Sequence, residues 1–176
     1  MTPRSLTRTI FTTAAVGALA LAPAAAPGDA GQAAAKRITA AGVGKVKLGK
    51  TFQELRAAGL IGPLRPGCEL SGPNTRFARL KSPLEGTVDF TRTSPRRVKR
   101  VTVRGGAKAR GVGIGATIPQ IQSAFPQANI DQSTEQLFGI TLVKIPKTGG
   151  GRIQFAVEVD TGKTTLIAVP NVAFCE

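Results

Sequence analysis

Leu48-Gly49-Lys50-Thr51-Phe52-Gln53-Glu54-Leu55 returns 66 positions further on as Ile114-Gly115-Ala116-Thr117-Ile118-Pro119-Gln120-Ile121. Both stretches run apolar, Gly, spacer, Thr, apolar, a sixth residue that differs, Glu or Gln, apolar. Self-similarity at a fixed offset signals one supersecondary unit used twice. Thr51 with Glu54 reads as a capping box, the hydroxyl accepting from the amide three residues on while the carboxylate reaches back. The helix it opens carries Phe52, Leu55 and Ala58 on one stripe and stops at Gly59. Thr117 with Gln120 repeats the box; Pro119 is tolerated in a first turn, Ile118, Ile121 and Phe125 form the stripe, and Pro126 ends it. Each helix is about two turns long, too short to stand alone, so each must dock on something.

Outward from these phrases the pattern changes to strand. Val46 and Leu48 alternate with Lys45 and Lys47 before the first helix. After it, strands are predicted over 76–80, 87–90 and 98–104; after the second, over 138–145, 153–159 and 164–169. Asp160-Thr161-Gly162-Lys163 is a hairpin turn by its chemistry. The expected fold class is therefore α+β: a tandem duplication of a short helix followed by about three antiparallel strands, with the helices on one face of the sheet. The repeats would cover about 45–105 and 111–170 within one domain spanning 38–176.

Residues 1–30 read as a secretory signal. Arg4 and Arg8 form the basic start, and the charge-free run from Ile10 to Ala22 is about 13 residues, short of the roughly 20 that cross a bilayer. Ala22-Pro23-Ala24 and Gly28-Asp29-Ala30 are small-x-small cleavage candidates, which puts the cut within 24–30. Residues 31–37 then form a linker. Export implies an oxidising compartment. The chain has two cysteines, Cys68 and Cys175, and an intramolecular disulfide between them would close a loop of about 100 residues, an effect of about 4 to 5 kcal/mol.

The chain contains no histidine, which excludes Ser-His-Asp and Cys-His nucleophilic sites and His-containing metal sites. With both cysteines bonded to each other, thiolate chemistry goes as well, so no catalytic residue, metal ligand or cofactor is assigned. Formal net charge is +14. No carboxylate falls between Asp89 and Asp131, while Arg92, Arg96, Arg97, Lys99, Arg100, Arg104, Lys108 and Arg110 crowd one segment. Of these, Arg92, Arg96, Arg97, Arg100, Arg104, Lys108 and Arg110 are the candidate binding residues. Guanidinium groups bond two oxygens at once, which suits phosphate, sulfate or carboxylate. On 98–104, alternation puts Arg100, Thr102 and Arg104 on one face but Lys99 with Val101 and Val103, so a bulge is indicated. A solvated face accounts for the same charge pattern. With no Tyr, no Trp and only eight Phe, base-stacking platforms are scarce and nucleic acid is disfavoured as a partner.

The twin phrases 47–55 and 113–121, with the strand order, resemble the helix-start motif of a fold group that comprises the β-lactamase-inhibitor protein and the small outer-membrane assembly lipoproteins of the SmpA/OmlA type. The chain is also similar to secreted actinobacterial proteins with a late cysteine. The resemblance implies repeated helices backed by antiparallel strands. The inhibitor binds through a sheet rich in Tyr, Trp and acidic groups, whereas this chain has no Tyr, no Trp and a basic excess. The expected function is a secreted, non-catalytic binding module whose basic surface meets an acidic protein or an anionic envelope polymer. The alternative is a secreted hydrolase working with carboxylates alone.

Overall fold

The computed structural model describes residues 36–68, 74–146 and 152–174. The expected signal sequence and most of the expected linker lie outside the described residues, as does Cys175. Strands β1 (Ile38–Thr39), β2 (Gly42–Val43) and β3 (Val46–Lys47) form a small antiparallel sheet. Helix α1 (Phe52–Ala57) leads into β4 (Ile61–Pro66), β5 (Arg76–Leu80), β6 (Glu85–Phe90) and β7 (Val98–Gly105). Helix α2 (Ile118–Ala124) leads into β8 (Asn129–Asp131), the single-turn α3 (Glu135–Phe138), β9 (Ile140–Pro146), β10 (Arg152–Glu158) and β11 (Thr164–Val169). The large strands make one antiparallel sheet ordered β4-β5-β6-β7-β11-β10-β9-β8.

This overturns the α+β expectation. Among the described residues the protein is mostly β, with 47% strand against 13% helix and only three short helices. Four strands follow each of α1 and α2, not about three, and all eight share one sheet. The uncounted strands are its two edges. β4 contains Gly62, Pro63 and Pro66, which suppress a strand reading; proline cannot donate to a ladder but is tolerated on an edge. β8 is three residues long, too short to show alternation. Of the small sheet, β3 answers to the alternation of Val46 and Leu48 with Lys45 and Lys47, while β1 and β2 are unpredicted because two-residue strands have no period.

The opening phrases meet the sheet in the same way. Gly49 N donates to Val98 O at 2.9 Å and Val98 N to Lys50 O at 2.7 Å; Gly115 N donates to Thr164 O and Thr164 N to Ala116 O, each at 2.8 Å. Each glycine thus ties the chain to the first residue of an inner strand, β7 or β11. Both need glycine for backbone shape, with φ of 80° and 82°, a region costly for other residues. Next comes the cap. Glu54 N bonds Thr51 Oγ1 at 3.2 Å, and Thr51 N bonds the Glu54 carboxylate at 2.7 Å. Thr117 N bonds Gln120 Oε1 at 2.9 Å.

One sheet face carries the core. Ala78, Val88, Val101, Val103, Val143, Phe155, Val157, Ile167 and Val169 are essentially inaccessible and pack with Leu55 of α1, Ile121 of α2, and Val43 and Val46 of the small sheet. Phe52 meets Phe90 edge-on at 5.5 Å, and Phe125 meets Phe155 at 6.0 Å. Burying a side chain such as Leu55 or Ile121 contributes about 1.5 to 3 kcal/mol, which anchors helices too short to persist alone.

Candidate binding surface

The other sheet face is where the two halves part. Over β9, β10 and β11 it is apolar: Leu142, Ala156 and Ala168 are buried beneath Val172, with Phe174 packed against them. Gln154 accepts from Val172 N at 2.8 Å, and Phe174 stacks on Phe138 at 4.2 Å. Over β4 to β7 the register aligns Arg79, Thr87 and Thr102 in one row, and Asp89 and Arg100 beside Phe77 in the next. Arg79, Thr87 and Arg104 line one shallow cleft, and Arg65, Arg79, Lys99 and Arg104 are exposed.

Here the indicated bulge is found. Asp89 pairs with Arg100 but Phe90 pairs with Val98, leaving Lys99 as the extra residue. That lets Val98 join the core with Val101 and Val103 while Lys99 is exposed beside Arg100. A second register shift lies between Glu85 and Gly86, opposite Gly105 and Val103.

The basic segment is not one surface. Arg100 is 9% exposed, and its Nη1 donates to Asp89 at 3.2 Å; its Nε is buried without a partner. Burial pushes the Asp89 carboxyl above its ordinary value, and the attraction of Arg100 and Lys99 opposes this only in part. Arg96 donates to the carbonyl of Arg92, and its own carbonyl accepts from Phe52 N. Arg97 donates to Gly49 O at 3.1 Å. These arginines hold the β6–β7 turn against α1. Arg110 lies over the Phe125 ring at 5.1 Å and donates to Ala124 O at the end of α2, where the helix dipole favours a cation. Arg104 and Lys108 remain exposed, and Arg92 is exposed in the β6–β7 turn.

Sequence density therefore gathered residues that the fold disperses, and it missed Arg65, Arg76 and Arg79. The alternation of Arg79 against the buried Ala78 and Leu80 on β5 was the signal available for one of these.

The described carboxylates mostly have local partners. Glu54 holds its cap, with Lys50 and Thr51 drawing it down to about 2. Asp131 bonds Lys144 and Ser133 N and is held well below the usual range by them, Lys144 foremost. Glu135 accepts from Thr141 and Glu158 from Thr161. Among the described residues no three of His, Cys, Asp or Glu gather as a metal site, and no helix is long and apolar enough to cross a membrane. No described cysteine is free.

No family model matches the chain, and no curated protein matches it. Among solved structures it is similar to an extracellular protein containing an SCP domain from Bacillus anthracis str. Ames, at 14% identity and a TM-score of 0.45. That likeness covers 70% of this chain and 44% of the other, so the chain spans under half that protein's length. A likeness at this level bears on neither function nor site.

Proposed function

We propose that this chain is a secreted, non-catalytic binding module that meets an acidic protein or an anionic envelope polymer through the outer face of β4 to β7. One observation carries the reading: the described tail residues Val172 and Phe174 pack over β9 to β11, while the face of β4 to β7 exposes Arg65, Arg79, Lys99 and Arg104. A field of one sign attracts polyanions, and exposed arginines donate to their oxygens in pairs. Export rests on the basic start and short apolar run of residues 1–30. The Cys68–Cys175 bond belongs to the same proposal, as an oxidising compartment favours it.

The test is retention on an immobilised polyanion, heparin or polyglutamate, across a salt series. Screening shortens the reach of exposed charges to about 8 Å near physiological salt, so retention should fall steeply. Replacing Arg65, Arg79 and Arg104 together by Gln should sharply reduce retention and change stability by less than about 1 kcal/mol, since exposed charges contribute little. Undiminished retention by the triple variant overturns the reading.

A further inference from the structure

Lys99 and Arg100 are sequence neighbours, and in a regular strand they would point to opposite faces. The bulge at Lys99 removes that alternation. Both side chains now line one cleft of about 310 Å³, where β5 begins, β6 ends and β7 begins. Arg76 joins them from the first position of β5, and Asp89 is the one carboxylate among the described lining residues.

Among the described residues, charge and hydrogen bonding around Lys99, Arg76 and Arg100 are incomplete, whereas Arg92, which also lines the cleft, has a partner of its own. Asp89 offsets Arg100, and among the described residues neither Lys99 nor Arg76 has an ion-pair partner. Arg100 is nine-tenths buried, and its Nε donor has no acceptor. Buried donors are ordinarily paired, so an orphan marks a place where a bonding partner is missing. A neutral ligand would leave the excess charge uncompensated, and a cation would add to it. The volume sits at the small end of ligand pockets, enough for a single anionic group.

We propose that this cleft binds a small tetrahedral oxyanion, a phosphate or sulfate group, through Lys99, Arg100 and Arg76. The inference rests on the reading of the chain as a binder of acidic partners and locates one anionic group of such a partner. Lys99 supplies a mobile point charge at the rim, and the Arg100 guanidinium a planar fork at the floor. Asp89 orients that fork and weakens the site by its own charge.

Titration calorimetry of the full chain with inorganic phosphate, and separately with inorganic sulfate, at fixed ionic strength tests this. Binding of either ion is expected, and the tighter one names the group. Arg100→Gln would strand Asp89, so the decisive variants are Lys99→Gln and Asp89→Asn. Lys99→Gln should weaken binding roughly tenfold, the scale of one charge-assisted hydrogen bond. Asp89→Asn should tighten it, which no merely structural role of the pair would produce. Absence of binding by both ions, or equal affinity in wild type and both variants, overturns the cleft. Heparin retention of the same proteins separates the two claims. Retention without ion binding removes the cleft alone, whereas loss of salt-sensitive retention in wild type removes the broader reading.

Discussion

The two halves of the large sheet are built alike on one face and oppositely on the other. In each, a capped two-turn helix buries one aliphatic residue, Leu55 or Ile121, and a phenylalanine pair joins helix to sheet. On the outer face, β10 is enclosed along its length, with residues 153–157 all buried, because the tail carrying Val172 and Phe174 lies over it. β7 keeps polar residues at Arg100, Thr102 and Arg104, of which Arg100 is buried, Thr102 half-buried and Arg104 exposed. The inner face of a sheet fixes which fold forms. Its outer face is free to be closed by the chain itself or left for something else.

The first way to break this comparison is at the shared face. Phe155→Ala and Phe90→Ala should each cost about 3 to 5 kcal/mol, read by denaturant unfolding; a much smaller loss at one would mean that the halves are not equally anchored. The outer face should then discriminate. Leu142→Ala, under the tail, should cost about 2 to 3 kcal/mol, while Thr87→Ala on the open half should stay within about 0.5 kcal/mol. Equal losses would show that the open face is in fact covered.

The finest distinction lies in the caps, because Glu54 titrates and Gln120 does not. The Glu54 value of about 2 lies below its ordinary 4.5, so the stabilisation is present above about pH 4.5 and lost as pH falls toward 2. Glu54→Gln should therefore melt below wild type at neutral pH, with the gap closing as acid is added; a gap independent of pH would remove Glu54 from the cap. Asp131 acts with the same sign at lower pH. Asp89, raised by burial, acts oppositely: its contribution is present below the ordinary aspartate value and lost as pH rises through the folded one.

Legibility followed the same division. The glycine and threonine of each phrase were readable because a positive φ and a cap each demand particular residues. Predicted strands 76–80 and 164–169 coincide with β5 and β11, both strands with neighbours on two sides. Strands that answer to fewer constraints, β4 with one neighbour and the two-residue β1 and β2, left no period to find, and their omission is what tilted the fold class toward helix. The basic segment was legible as charge but not as surface. Whether an arginine bonds a carbonyl, as Arg97 does, or enters a buried pair, as Arg100 does, depends on residues some 10 to 50 positions away.

The prolines of β4 have one more consequence, for what happens when copies of this protein meet. A sheet's outermost strands are templates on which another chain can extend the ladder, and this is how sheets polymerise. Here Pro63 and Pro66 remove two of the six amide donors of β4, and β8 offers only three residues at the opposite margin. Lateral growth is thus discouraged at both margins by different means, missing donors at one and shortness at the other. The molecule can leave half of its outer sheet face open without exposing a long, complete edge on which fibres could start.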